Sequence, residues 1–220
     1  MRGTPMSMFK KQVAKFEPVG GRPEDAKKVV FLDIDGVLLP VGNAHIDISD
    51  DHVVLEKFYA HLRKKFGVDY SAYSAMDVMT VYYLWDRDSV ANLKEILDET
   101  GAKIVLSSSW RIFPMRKMSD LFRIHGLDKY YIDNTIREDF RYIEQLRKDN
   151  PLYKNYYVDR VIEILEYIKK YPNIKDYVAI DDMNLIPGLE NHFIHTHQLL
   201  TVEQASLAIG ILSNCEGLMA

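Results

Sequence analysis

Short, continuously apolar runs alternate along this chain with longer stretches in which apolar side chains return every three to four positions. Lys28 to Leu32 (KVVFL), Lys103 to Ser107 (KIVLS) and Asp176 to Ile180 (DYVAI) read as buried strands, each rich in β-branched residues and bounded by polar residues. Phe193-Ile194 suggests a short fourth strand. Val53, Val54, Phe58, Leu62 and Phe66 predict a helix from Asp50 closed by Gly67. Val90, Leu93, Ile96 and Leu97 predict another over Ser89 to Thr100, with Gly101 just beyond. Met118 to Ile124, Glu138 to Arg147 and Asp159 to Tyr171 add three more, the second stopped by Asn150-Pro151 and the third by Pro172. Thr201 with Gln204 forms a capping box ahead of Val202, Ala205, Leu207, Ala208, Ile211 and Leu212, which predicts an amphipathic closing helix. Tyr70 to Trp85 follows no assignable period. Strand, helix and strand in succession is the rhythm of an α/β fold with a parallel sheet.

Composition narrows the function classes. With 28 Lys and Arg against 32 Asp and Glu, the 220-residue chain carries a formal charge of −4, which argues against a general polyanion-coating surface. A chain of this length should bury roughly 70% of its unfolded surface, so its core needs no staples. The single cysteine, Cys215, leaves no intramolecular disulfide and no Cys-rich zinc site, and fits a reducing compartment. The seven His residues show no metal-ligand spacing such as HExxH. No apolar run is long enough for a bilayer and no apolar leader follows the first basic residues, so the expectation is a cytoplasmic protein without a membrane partner. Gly20-Gly21-Arg22-Pro23 is a breaker cluster, and residues 1–27 are expected to form a mobile or loosely docked arm outside a single domain over 28–220.

All three strong strand signals end in polar clusters: Asp33-Ile34-Asp35-Gly36 after the first, Ser107-Ser108-Ser109 after the second and Asp181-Asp182 after the third. Ligands of open parallel sheets bind in the crevice outside the carboxyl ends of the strands, so the clusters should converge there. Carboxylates gathered in one place raise one another's pKa values unless a cation neutralises them. Magnesium suits such a set because it takes hard oxygen ligands and leaves positions for water or substrate phosphate.

Asp33-Ile34-Asp35-Gly36-Val37 behind apolar residues, a strand-end Ser, a basic residue opening a later helix and a terminal Asp-Asp pair resemble the four signatures of the haloacid dehalogenase-like (HAD) phosphohydrolases. Leu106 to Arg111 (LSSSWR), the helix of Arg160, the VAIDD strand and the closing helix at Leu200-Thr201 resemble the small HAD domains of some RNA-repair proteins. The resemblance spans residues 28–200 and implies a Rossmann-like HAD core with a small cap or flap. It further implies a magnesium-dependent phosphomonoester hydrolase in which Asp33 attacks phosphorus to form an aspartyl-phosphate and Asp35 serves as acid and then base. Gly36 lets the chain turn away from the site. Ser108, two residues before Trp110, is the hydroxyl chosen for the transferring phosphoryl group, with Ser107 as runner-up and Ser109, Trp110 and Arg111 as further substrate-side candidates. Arg160 is the expected catalytic cation, although the family more often uses Lys and Lys154 competes. The magnesium set is Asp33, Asp35, Asp181 and Asp182, with the side chain of Asp35 standing off the metal.

Substrate is expected to be chosen by inserts at about 38–87, a modest cap, and about 112–156, a mixed surface with Arg116, Lys117, Arg123, Arg137, Arg141 and Arg147 among acidic residues. A short cap leaves the site partly open to a phosphorylated small molecule or to the phosphorylated end of a macromolecule. A nucleic-acid end phosphatase is the alternative enzyme and is disfavoured by the net charge. A HAD-fold module that binds without turnover is the alternative outside enzymes.

Overall fold

In the computed structural model the described residues are 16–42, 51–135, 140–156 and 158–213. Five parallel strands form one sheet of order β3-β2-β1-β4-β5. The central strand β1 (Lys28–Leu32) pairs with β2 (Lys103–Leu106) on one side and β4 (Asp176–Asp181) on the other. Strand β3 (Tyr131–Asn134) extends the sheet beyond β2, and β5 (Phe193–His195) extends it beyond β4.

Alternation along each strand divides the core between two faces. Val30, Leu32, Ile104, Leu106, Val178 and Ile180 face a layer built from Leu93, Ile96 and Leu97 of α3 (Arg87–Thr100), Met118, Leu121 and Phe122 of α4 (Met115–Arg123), and Ala205, Ala208 and Leu212 of α7 (Val202–Ser213). Val29, Phe31, Val105 and Ala179 face Val161, Ile164 and Tyr167 of α6 (Asp159–Lys170). Both sheet faces are covered, which is why the strands read as unbroken apolar runs rather than alternating ones. The helix α5 (Phe140–Asp149) packs Ile143 against Tyr153 and Ile162 at the edge of this layer.

The segment between β1 and α3 contains α1 (His52–Phe66) and the short α2 (Ala75–Met79), followed by a π-helical turn over Thr80–Leu84. Gly67 closes α1 with φ +72°, as the sequence predicts. Mixed 3-10, α and π geometry over Tyr70–Leu84 explains why no single period emerges there. This insert docks on α4 by polar contacts: the Tyr70 hydroxyl donates to the Asp120 carbonyl at 2.8 Å, the Tyr73 hydroxyl to the Asp120 carboxylate at 2.6 Å, and Lys117 pairs with Asp77 at 2.5 Å.

One feature differs from the sequence reading. Strand β3 lies inside the segment expected as a surface insert; only Tyr131 and Ile132 of its four residues are apolar, too short a run to signal a strand before its pairing with β2 is known. Residues 16–27, the described part of the expected arm, touch the domain. Ala26 is buried, Asn173 Nδ2 donates to the carbonyls of Pro23 and Ala26 at 2.8 Å each, and Gly20 sits against the backbone of Tyr131. Residues 1–15, the helix starts expected at Asp50 and Glu138, and Cys215 lie outside the described residues.

Candidate active site

The sheet ladder delivers the polar clusters to one place. Asp33 N donates to Ile180 O at 3.0 Å, Ser107 N to Leu32 O at 2.9 Å and Thr196 N to Asp181 O at 3.0 Å, so the residues leaving β1, β2 and β4 stand level at the carboxyl edge. Successive strands run from β1 outward to β2 and β3, and then to β4 and β5 on the other side of β1. The crevice between β1 and β4 is therefore the topological switch point, with Asp33 and Asp181 on its two rims.

The centre of the site is a buried charge cluster. Asp33, Asp181 and Asp182 each offer a carboxylate oxygen, and these oxygens lie within 4.8 Å of one another. Arg160 Nη1 reaches Asp33 Oδ2 at 2.9 Å and Asp181 Oδ2 at 2.5 Å, while Asp181 Oδ1 accepts from Met183 N at 2.9 Å. Burial pushes the Asp181 carboxyl up to about 6, against the pull of Arg160 and with a further push from Asp33. Burial and then Asp33 also raise Asp182. Burial opposes the charge of Arg160, but Asp181 and Asp33 more than offset it and hold the guanidinium above its ordinary value. Among the described residues Arg160 contacts two of the three acids, which leaves a negative excess. Asp33 Oδ1 is buried with no hydrogen-bond partner among the described residues, and with the two neighbouring hard oxygens it fits a divalent cation such as Mg2+.

Asp35 is turned away from that cluster. Its carboxylate accepts from Trp110 Nε1 at 3.3 and 3.2 Å and from Ser109 Oγ at 3.2 Å. Burial raises its pKa, the Trp110 hydrogen bond opposes this, and Asp33 adds to the rise. Trp110 in turn meets Trp85, at the end of the insert, edge-on with ring centroids 6.1 Å apart. The turn after Asp35 is possible because Gly36 adopts φ +72°, and Thr196 Oγ1 ties its carbonyl at 2.7 Å.

Of the three serines, Ser107 follows β2 directly, and its Oγ is buried without a hydrogen-bond partner among the described residues. Ser108 Oγ accepts from Trp110 N at 3.3 Å and so caps the short turn Ser109–Ile112. Arg111 points inward, bonded to the carbonyls of Ser107 and Ser108 and to Glu163 on α6. Arg160 is the cation in contact with Asp33, and Lys154 lies exposed on the turn Pro151–Asn155. Glu163 escaped the sequence reading. Its signal was a carboxylate within VIEIL, on the face of α6 that the apolar spacing buries.

The profile of the family described as "HAD domain in Swiss Army Knife RNA repair proteins" matches residues 29–206. The chain belongs to this family. The match covers all of the sheet but Lys28 and every strand-end cluster of this HAD domain, and membership points to a phosphatase-type hydrolase. HAD proteins generally use Mg2+, and the cluster of Asp33, Asp181 and Asp182 has oxygens suited to it. No curated protein and no solved structure matches the chain. Among the described residues, no helix is long and apolar enough to cross a membrane.

Proposed function

We propose that this HAD domain is a magnesium-dependent phosphomonoesterase that works through an aspartyl-phosphate on Asp33. The observation that carries this reading is the Asp33 carboxylate, with one oxygen held by Arg160 and the other buried without a partner, at the switch point beside two further acids. Asp33 attacks the phosphorus atom as the ester bond breaks, and water then cleaves the acyl phosphate to return the carboxylate and release phosphate. Asp35 protonates the leaving ester oxygen and afterwards takes a proton from the attacking water; its raised pKa suits the first task, and Trp110 with Ser109 aims it. Arg160 offsets the charge that gathers on the phosphoryl oxygens. Ser107, whose hydroxyl has no partner among the described residues, is the better candidate to donate to a phosphoryl oxygen; Ser108 Oγ accepts from Trp110 N and keeps its own proton, so it is the runner-up. Asp33, Asp181 and Asp182 would hold Mg2+, which when bound supplies positive charge against the phosphate dianion.

Hydrolysis of an aryl phosphate in the presence of Mg2+ should stop with EDTA and with Asp33→Asn. Equal rates in all three conditions would remove the enzyme reading in favour of a module that only binds. Asp35→Asn should lower kcat by about 10² to 10⁴ through lost proton transfer. The description of the family favours a second substrate reading, a phosphorylated nucleic-acid end. A labelled oligonucleotide that keeps its 3′- or 5′-phosphate while small esters turn over would exclude it.

A further inference from the structure

We propose that Arg111 and Glu163 form a buried clamp that holds the phosphoryl-binding serine loop against the helix carrying Arg160, and that both are positioning residues for phosphoryl transfer. The proposal rests on the phosphomonoesterase reading given above. Arg111 Nη1 donates to Ser107 O at 2.7 Å and to Ser108 O at 2.9 Å, and Nη2 donates to Glu163 Oε2 at 2.6 Å. The two side chains are only 9% and 4% exposed. Glu163 follows Arg160 by three residues, so the two emerge from neighbouring positions on one face of α6. The Arg111 guanidinium therefore joins the exit of β2 to the helix whose Arg160 touches Asp33 and Asp181.

The chemistry of this joint favours geometry over stability. A planar fork with fixed donors can hold two carbonyls and a carboxylate at set angles, whereas an ammonium cannot. A buried ion pair is often no more stabilising than apolar side chains of similar volume, so its presence is poorly explained by the core alone. Ser107 Oγ has no hydrogen bond to orient it, which leaves the placement of its backbone as the means of aiming it. The clamp grips that backbone at its carbonyl. Both terminal nitrogens, Nη1 and Nη2, are engaged with protein atoms, so the clamp acts through Ser107 and Arg160.

Four proteins test this: wild type, Glu163→Gln, Arg111→Met, and the double variant Arg111→Met with Glu163→Leu. Each is measured for thermal midpoint, for kcat and KM with an aryl phosphate and Mg2+, and for amide exchange. Both single variants should lose kcat by about 10², the scale expected of a displacement near 1 Å, with KM little changed. The double variant should regain much of the thermal midpoint but not kcat. A double variant as stable and as active as wild type would overturn the clamp. Glu163→Gln is close to isosteric and should fold, with faster exchange confined to residues 107–112 and the first turn of α6. Unchanged exchange there would also overturn it. A wild type without turnover, alongside this exchange pattern in Glu163→Gln, would refute the phosphatase reading and leave the clamp standing only as a structural joint.

Discussion

A Cβ built on Gly36 would fall 2.5 Å from Asp182 Cβ and 2.6 Å from its carboxylate, at a φ of +72° that side chains rarely adopt. The glycine thus serves both the turn after Asp35 and the close approach of Asp182. Gly36→Ala should cost more than about 1 kcal/mol of stability by the strained backbone alone. It should also push Asp182 out of the acidic cluster, so that Mg2+ protects the variant against heat less than it protects wild type; calorimetry with and without the ion measures both effects. The need for a glycine here was legible in the DxDG run, but Asp182 as the close neighbour was not, because the two are far apart in sequence. The serines show a similar division. Three in a row after KIVL marked a strand end, yet which hydroxyl is unengaged depends on Trp110 N finding Ser108 Oγ.

Helix ends were the most legible elements, since caps are local chemistry. Thr201 and Gln204 form the reciprocal box expected of them, with Thr201 N donating to Gln204 Oε1 at 3.0 Å and Gln204 N to Thr201 Oγ1 at 3.3 Å. Gln204 Nε2 also donates to His195 O at 2.8 Å and links α7 to the edge strand β5. Thr201→Ala should therefore destabilise by about 1 kcal/mol, read as a lower denaturant midpoint with an unchanged slope, and should leave KM as it is. Strand β3 was not legible: a four-residue strand owes its existence to β2, and nothing local to YIDN compels an extended chain. The tyrosines of Tyr70–Tyr83 also took their meaning from a partner, since Tyr70 and Tyr73 use their hydroxyls to dock the insert on Asp120 of α4.

For the molecule as a whole, the three acids and one arginine at the switch point make stability depend on pH and, on the proposed function, on Mg2+. Burial, with Asp33, lifts the Asp181 carboxyl from 3.8 to about 6, so without a divalent cation the folded state takes up a proton there that the unfolded state does not hold. The stability from this group is full below about pH 4 and is lost as pH rises through 6. The thermal midpoint of the metal-free protein should accordingly gain more on acidification from pH 7 to 5 in wild type than in Asp181→Asn; equal gains would show that Asp181 is not the group concerned. Mg2+ at about a hundred times its dissociation constant should add roughly 2.7 kcal/mol at pH 7. That gain should vanish in Asp33→Asn.

Apolar periodicity made the α/β class readable from the chain alone, and the polar residues ending each apolar run marked the edge where the acidic cluster gathers, because a parallel sheet aligns its strand ends regardless of how far apart they lie in the chain. Pairings between distant side chains were hidden: Trp110 with Asp35, Arg111 with Glu163, and Arg160 between Asp33 and Asp181. Periodicity reports which way a side chain faces, but the partner it meets depends on how strands and helices from different parts of the chain are set beside one another.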